Sequence, residues 1–262
     1  LHHPRMSGLQ ETLGKHGHGY SLANLHGILG ASGLTIANLE VPLCARPDPG
    51  LQGHKKYLGW SDPEQTVAAL KQAGIGAVTL ANNHSLDCGK EGISETFARL
   101  QKAGIAAFGA GSDAETAGHP FIHRFRIGGA ERALVVFAGF EYRRSYDRRF
   151  NWYAHGCRGG IGMISPELVA GHIRTLRDIL PNPIFVAFPH WGTDYEEVTT
   201  KQRDTAAALV AAGVDLIVGH GAHIAQAAEV IDGCPVLFNI GNFVWNTPGR
   251  FNRRDVLPLG LA

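Results

Sequence analysis

Short apolar runs alternate with helical periodicity along most of the chain, and each change of period falls at a glycine or a polar turn. That is the pattern of repeated β–α units. Residues 34–39 read as a buried strand running into a polar turn. Ser61-Asp62-Pro63 supplies an N-cap followed by proline, and a helix continues through Val67 and Leu70 to Gly74. A strand at 77–81 leads straight into the turn Asn82-Asn83-His84. A second helix, about 93–103, stops at Gly104, and a short strand at 105–108 follows. The middle changes character: 123–127 and 133–138 read as two strands of a hairpin around Gly128-Gly129-Ala130. Residues 141–160, rich in Arg and aromatics, read as irregular. The β–α alternation then resumes with a helix at 165–180, a strand at 184–188, a helix at 200–212 and a strand at 214–218. A last hairpin, 228–231 with 236–238, turns at Asp232-Gly233, a type I′ signal.

Composition supports a folded α/β chain. Of 262 residues 44% are hydrophobic and 18% charged, enough apolar surface to offset the entropy of ordering. The 34 glycines show no collagen period and suit many tight strand–helix turns. With 24 basic against 23 acidic residues there is no global basic field, so nucleic acid is not the expected partner. No apolar run approaches the roughly 18 residues that span a bilayer. Cys44, Cys88, Cys157 and Cys234 are far apart, form no CxxC pair and read as free thiols, which leans to a reducing compartment. Neither a repeat nor a Pro-rich linker interrupts the chain, so residues 1–262 read as a single domain, with both ends looking cut. The N-terminal residues lack the order of a signal peptide. His2, His3, His16, His18 and His26 belong to no motif and read as surface or tag-like.

Four polar clusters follow predicted strands: Asn38-Leu39-Glu40, Asn82-Asn83-His84 with Asp87, Pro189-His190-Trp191-Gly192, and Gly219-His220-Gly221-Ala222-His223. Ligands of α/β sheets bind at strand carboxyl ends. Imidazole, carboxylate and amide oxygen are donors that a hydrolytic dimetal centre of Mn, Zn or Fe uses. Such a centre activates water near neutral pH, and an unligated histidine can protonate the leaving oxygen.

At these clusters the chain resembles the CapA family of capsule and poly-γ-glutamate synthesis proteins, built on the calcineurin-like metallophosphatase fold. The matching stretches are residues 37–42, 80–87 with Gly89, 109–111, 190–195, 219–223 with Gln226, and 240–243, in the family's order from about residue 20 to 246. The resemblance implies a four-layer α/β/β/α sandwich, with two mixed sheets face to face and helices outside. It implies metal-ligand positions at Glu40, Asn83, His190, His220 and His223, and an acid–base residue in His84, oriented by Asp87. Asn82, Trp191, Tyr195, Gln226 and Asn242 fall at substrate-side positions, Asn82 also forming the turn. These residues are expected to converge in one cleft, with Asp87 open to a second reading as a helix N-cap.

Two departures weigh on the metal. The family's opening Gly-Asp motif, whose Asp is a ligand, is absent, and the usual His-His-Pro-His is here His220-Gly221-Ala222-His223. The site is therefore expected to hold a divalent metal, to be incomplete, or to be metal-free. Three functions stay open: a metal-dependent phosphoesterase-like hydrolase with a role in capsule synthesis, a metal-independent peptide epimerase using His and Asp in the same cleft, and a non-catalytic scaffold. The expected substrate is an anionic polymer, a peptide or a phosphoester. The Arg143-Arg144 to Arg148-Arg149 stretch is either a polyanion contact or a solvated loop. A cytoplasmic location and an anchored one at the cell envelope are both open.

Overall fold

In the computed structural model, which describes residues 7–244, the β–α alternation is realised as two units, one ending at Phe108 and one spanning Gly109–Phe243. The first unit runs α1 (Ser7–His16), α2 (His26–Leu29), β1 (Thr35–Asn38), α3 (Pro63–Gln72), β2 (Ile75–Thr79), α4 (Gly89–Lys102) and β3 (Ala106–Phe108). Its three strands form one parallel sheet in the order β1-β2-β3. Parallel neighbours need helical crossovers, and the sequence supplies their limits. Asp62 accepts a hydrogen bond from the Gln65 N–H at 2.8 Å, with Pro63 as the first residue of α3. Gly104, at φ 75°, follows the end of α4 and turns the chain towards β3. Ala77, Val78, Leu80 and Leu100 are fully buried.

The cysteine reading needs correction. Cys44 and Cys88 form a disulfide with Cα atoms 6.5 Å apart, while Cys157 and Cys234 are free. A separation of 44 residues carries no information about approach in space. The approach is set by the chain around Cys44: Leu43 bridges Ser61 and donates its N–H to Thr96 Oγ1 on α4 at 2.9 Å. Two further elements were not anticipated. Helix α1 and a 3₁₀ segment, His18–Leu25, occupy a stretch that carried no reading, and His18 Nδ1 lies 3.0 Å from Thr66 Oγ1 of α3.

The second unit runs β4 (Ala110–Gly111), α5 (Ala114–Gly118), β5 (Phe121–Ile127), β6 (Ala130–Phe140), α6 (Arg144–Phe150), β7 (Gly160–Ile161), α7 (Pro166–Ile179), β8 (Pro183–His190), α8 (Thr200–Ala212), β9 (Leu216–Val218), β10 (Ala228–Ile231) and β11 (Cys234–Leu237). Six strands form a mixed sheet in the order β10-β11-β9-β8-β6-β5, with β4 and β7 paired apart. Both expected hairpins are present, as β5–β6 and β10–β11. Asp232 and Gly233 sit at φ 46° and 82°, the two left-handed positions of a type I′ turn. The stretch read as irregular contains helix α6, ended by Asn151 at φ 50°. Val169 and Ile173 of α7 and Ala206 and Leu209 of α8 pack with Val135, Phe137, Phe185, Ile217 and Phe238. Each fully buried Val, Leu, Ile or Phe among them contributes about 1.5–3 kcal/mol. The chain is thus a mixed α/β protein, as expected, although the first sheet is parallel throughout where a mixed one was expected. No helix among the described residues is long and apolar enough to cross a membrane.

Candidate functional site

Parallel pairing sets the ends of β1 and β2 side by side in the first unit, with Asn38 opposite Thr79. Asn82, fully buried just past β2, then builds the turn. Its Nδ2 donates to Asn38 Oδ1 at 3.0 Å and to the Leu39 carbonyl at 2.9 Å. Its Oδ1 accepts from the His84 N–H and the Ser85 hydroxyl. Glu40 Oε2 accepts from Asn38 Nδ2 at 3.1 Å, so Asn38 links the two strand ends. Asn83 Oδ1 is buried and has no hydrogen-bond partner among the described residues.

His84 and Asp87 meet in the same turn, with Nδ1 and Oδ2 2.6 Å apart. The Asp87 carboxylate is fully buried. It accepts from Lys55 Nζ at 2.6 Å and from the Gly59 N–H at 2.7 Å. Lys55 Nζ also donates to the Tyr57 carbonyl at 3.0 Å and approaches His84 Nδ1 to 3.2 Å. An Asp87 that accepts from an ammonium and a peptide N–H accepts from His84 as well. Nδ1 therefore carries the proton, and Nε2 is left as the reactive nitrogen. Burial holds the Lys55 amine below the usual lysine range, against the opposing charge and hydrogen bond of Asp87 and the charge of Glu40. Asp87 is not the cap of α4: Cys88 takes that position and no side chain caps the helix.

In the second unit the parallel strands β8 and β9 bring two of the histidines together. His190 ends β8 and bridges His220 just past β9, the Trp191 N–H donating to the His220 carbonyl at 2.8 Å. Their Nδ1 atoms lie 3.0 Å apart, so one donates to the other. His220 is buried against Phe188, with ring centroids 4.4 Å apart. Burial pushes its pKa down to about 3, a bond to the Phe188 backbone opposing and the nearby His223 adding to the shift. Its Nε2 is buried with no hydrogen-bond partner among the described residues. His223, at φ 61°, has Nδ1 2.9 Å from Asn242 Oδ1, and Asn242 Nδ2 donates back to the His223 carbonyl. Asn242 thus fixes the His223 ring with Nδ1–H directed at its Oδ1.

Gly221 explains the departure from two adjacent histidines. It sits at φ 111°, and a Cβ there would lie 2.9 Å from His190 Nε2, so no side chain fits. The substrate-side residues of this unit have structural partners. Trp191 is buried and donates Nε1–H to the Phe238 carbonyl at 2.6 Å. The Gln226 amide bonds Gln202 Nε2 and the Glu196 carbonyl, each at 2.8 Å. Tyr195, at φ 62°, donates its N–H to Ala222 and sets its ring 5.7 Å from that of His223.

Sequence reasoning missed Lys55, Gly59 and Glu141. Glu141 follows β6 and clamps the turn after His190: Oε2 accepts from the Gly192 N–H at 2.9 Å and Oε1 from Lys201 Nζ at 2.6 Å. A carboxylate just past a strand is the same signal as the four clusters and could have found it. Lys55 and Gly59 lie in a loop with no such signal.

No three His, Cys, Asp or Glu side chains gather as a metal ion needs among the described residues. The donors nevertheless suit a divalent metal in kind. Asn83 Oδ1 and His220 Nε2 are buried polar atoms without protein partners, and a neutral imidazole has the lone pair a metal takes.

Parallel β–α units with imidazole, amide and carboxylate groups at strand carboxyl ends make up this mixed α/β fold. A Staphylococcus aureus protein described as a 5′-nucleotidase and solved with α-ketoglutarate shares this fold. It superposes with a TM-score of 0.51 over 84% of this chain and 42% of its own, at 14% identity. The sequence profile of the bacterial capsule synthesis protein PGA_cap matches residues 3–247, and the chain belongs to that family. It is 26% identical over 244 residues to the capsule biosynthesis protein CapA of Bacillus anthracis, covering 91% of this chain and 56% of the relative. A Mycobacterium tuberculosis protein named as a polyglutamine synthesis accessory protein is 30% identical over 221 residues, covering 82% of this chain and 56% of its own length. The chain therefore spans just over half the length of the curated relatives it matches.

Proposed function

We propose that the chain is a hydrolase of metallophosphatase type that acts in the synthesis of an anionic capsule polymer of the poly-γ-glutamate kind, with His84 as its acid–base residue. The observation that carries this reading is the 2.6 Å contact between His84 Nδ1 and the buried Asp87 carboxylate. Nε2 takes up a proton and gives it to the leaving oxygen, and Asp87 stabilises the imidazolium in between. Lys55 and Gly59 keep Asp87 in place for that role. Each unit carries donors of the kind a divalent metal takes: Asn83 and Glu40 in the first, and His190, His220 and His223 in the second. Such a metal supplies Lewis acidity to water and to phosphoryl oxygens. Arg144, Arg148 and Arg149 are exposed on α6 and present guanidinium groups to a polyanion.

The proposal is tested on the full chain with bis(4-nitrophenyl) phosphate, before and after chelation, and with a glutamyl peptide in D₂O. Hydrolysis that chelation abolishes and metal restores is the expected result. Deuterium entering the peptide α-carbon after chelation, with no phosphodiester cleavage, replaces this reading with the epimerase one. Neither reaction, with the polymer still bound, leaves a scaffold.

A further inference from the structure

Lys55, Gly59 and Asp48, which reach Asp87 from a distant part of the first unit, all lie on one stretch of chain. Lys55 and Gly59 donate to its carboxylate, and the Asp48 N–H donates to its carbonyl at 2.8 Å. Between Cys44 and Gly59 the only regular structure is the single 3₁₀ turn Pro49–Leu51, capped by Asp48 through the Gly50 N–H. A stretch with so little internal structure opens easily unless its ends are held. One end is held covalently: Cys44 is bonded to Cys88, the residue next to Asp87.

We propose that the Cys44–Cys88 disulfide is a positioning element for the His84–Asp87 pair, closing the segment that carries Lys55 and Gly59 against the turn that carries Asp87. The bond works by removing open states in which Lys55 and Gly59 have left the carboxylate. Once those donors are gone, the carboxylate is free to turn, and Nδ1 of His84 loses its fixed acceptor. A small dithiol undoes the latch in two exchanges. A reductant thiolate attacks one sulfur and expels the other cysteine as a thiolate; the second reductant thiol then closes on the mixed disulfide, leaving two protein thiols and oxidised reductant. Cys88 is half-buried and Cys44 buried, so Cys88 is the more open residue of the two.

The consequence for catalysis rests on the proposed role of His84, but the test reads the pair directly. Alkylation of the unfolded full chain should label two thiols before reduction, those of Cys157 and Cys234, and four after it. Proton NMR of the folded oxidised chain should show a slowly exchanging, downfield His84 Nδ1 proton and a protected Gly59 amide. Dithiothreitol should speed exchange of both by about thirtyfold or more, while amides of strand β8 stay protected. The doubly substituted Cys44→Ser, Cys88→Ser chain should match the reduced protein. Four labelled thiols before reduction, unchanged His84 and Gly59 exchange after it, or equal loss of protection in β8 would each overturn the proposal. Failure of the hydrolase reading instead shows as absent turnover in the oxidised chain with these exchange differences intact.

Discussion

The two units treat their polar residues in opposite ways. In the first, Asn83 Oδ1 apart, the turn after β2 spends its side chains on the fold: the Asn82 side chain makes four hydrogen bonds, and the Asp87 carboxylate accepts from Lys55, Gly59 and His84. In the second, His190 and His220 lean on each other in an aromatic setting, and His220 is buried, neutral and left with one ring nitrogen unused. The first arrangement is rigid and charged, suited to holding a proton at a chosen nitrogen. The second leaves one buried ring nitrogen, His220 Nε2, without a partner, a group of the kind a cation takes. A turn that spends its bonding capacity orients a neighbour, whereas a buried donor atom left without a partner is costly unless a ligand compensates it.

The sharpest way to break this contrast is at His84. Replacing it by Ala should lower turnover on the phosphodiester probe by roughly 10²–10⁴-fold while leaving the fold and metal content unchanged. Near-normal turnover with a lowered melting temperature would reduce His84 to a structural residue.

Acid unfolding probes the second unit. His220 titrates near 6.5 when unfolded but at about 3 in the fold, so between those values only the unfolded chain takes up the proton. Its contribution to stability is complete above pH 6.5 and is lost as pH falls towards 3, by about 1.4 kcal/mol per pH unit. Denaturant midpoints of wild type and His220→Gln across that range should diverge in slope; parallel curves would mean that His220 is not held neutral by burial.

The smallest effect separates neighbours in the first unit. Asn82→Ala strands several buried groups and should cost about 2 kcal/mol or more. Asn83→Ala removes an oxygen that has no protein partner and should stay within about 0.5 kcal/mol. Equal losses at the two positions would show that Asn83 is a turn builder like Asn82.

The elements were legible where their signals are local. Asp62-Pro63 and Gly104 mark helix limits, Asp232-Gly233 marks a hairpin, and polar clusters after apolar runs mark strand ends, all within a few residues of chain. The proximity of Glu40 to Asn82, and of His190 to His220, follows from parallel pairing once the strands are recognised. Helix α6 was missed because it is short and dominated by exposed Arg, leaving no apolar period to read.

By itself the sequence determined the class of fold, the order of its β–α units and the chemical kinds at the strand ends, since periodicity, caps and turn residues act over neighbours. Only the tertiary structure decided which of those groups keep a free atom. Lys55 and Lys56 are adjacent and chemically alike, yet one is buried on Asp87 and the other is exposed. Cys44 finds Cys88 rather than Cys157 or Cys234 because the bridge of Leu43 to Ser61 and its bond to Thr96 carry it there. Contacts across such separations depend on how loops close over a packed sheet, and no local pattern of residues encodes that closure.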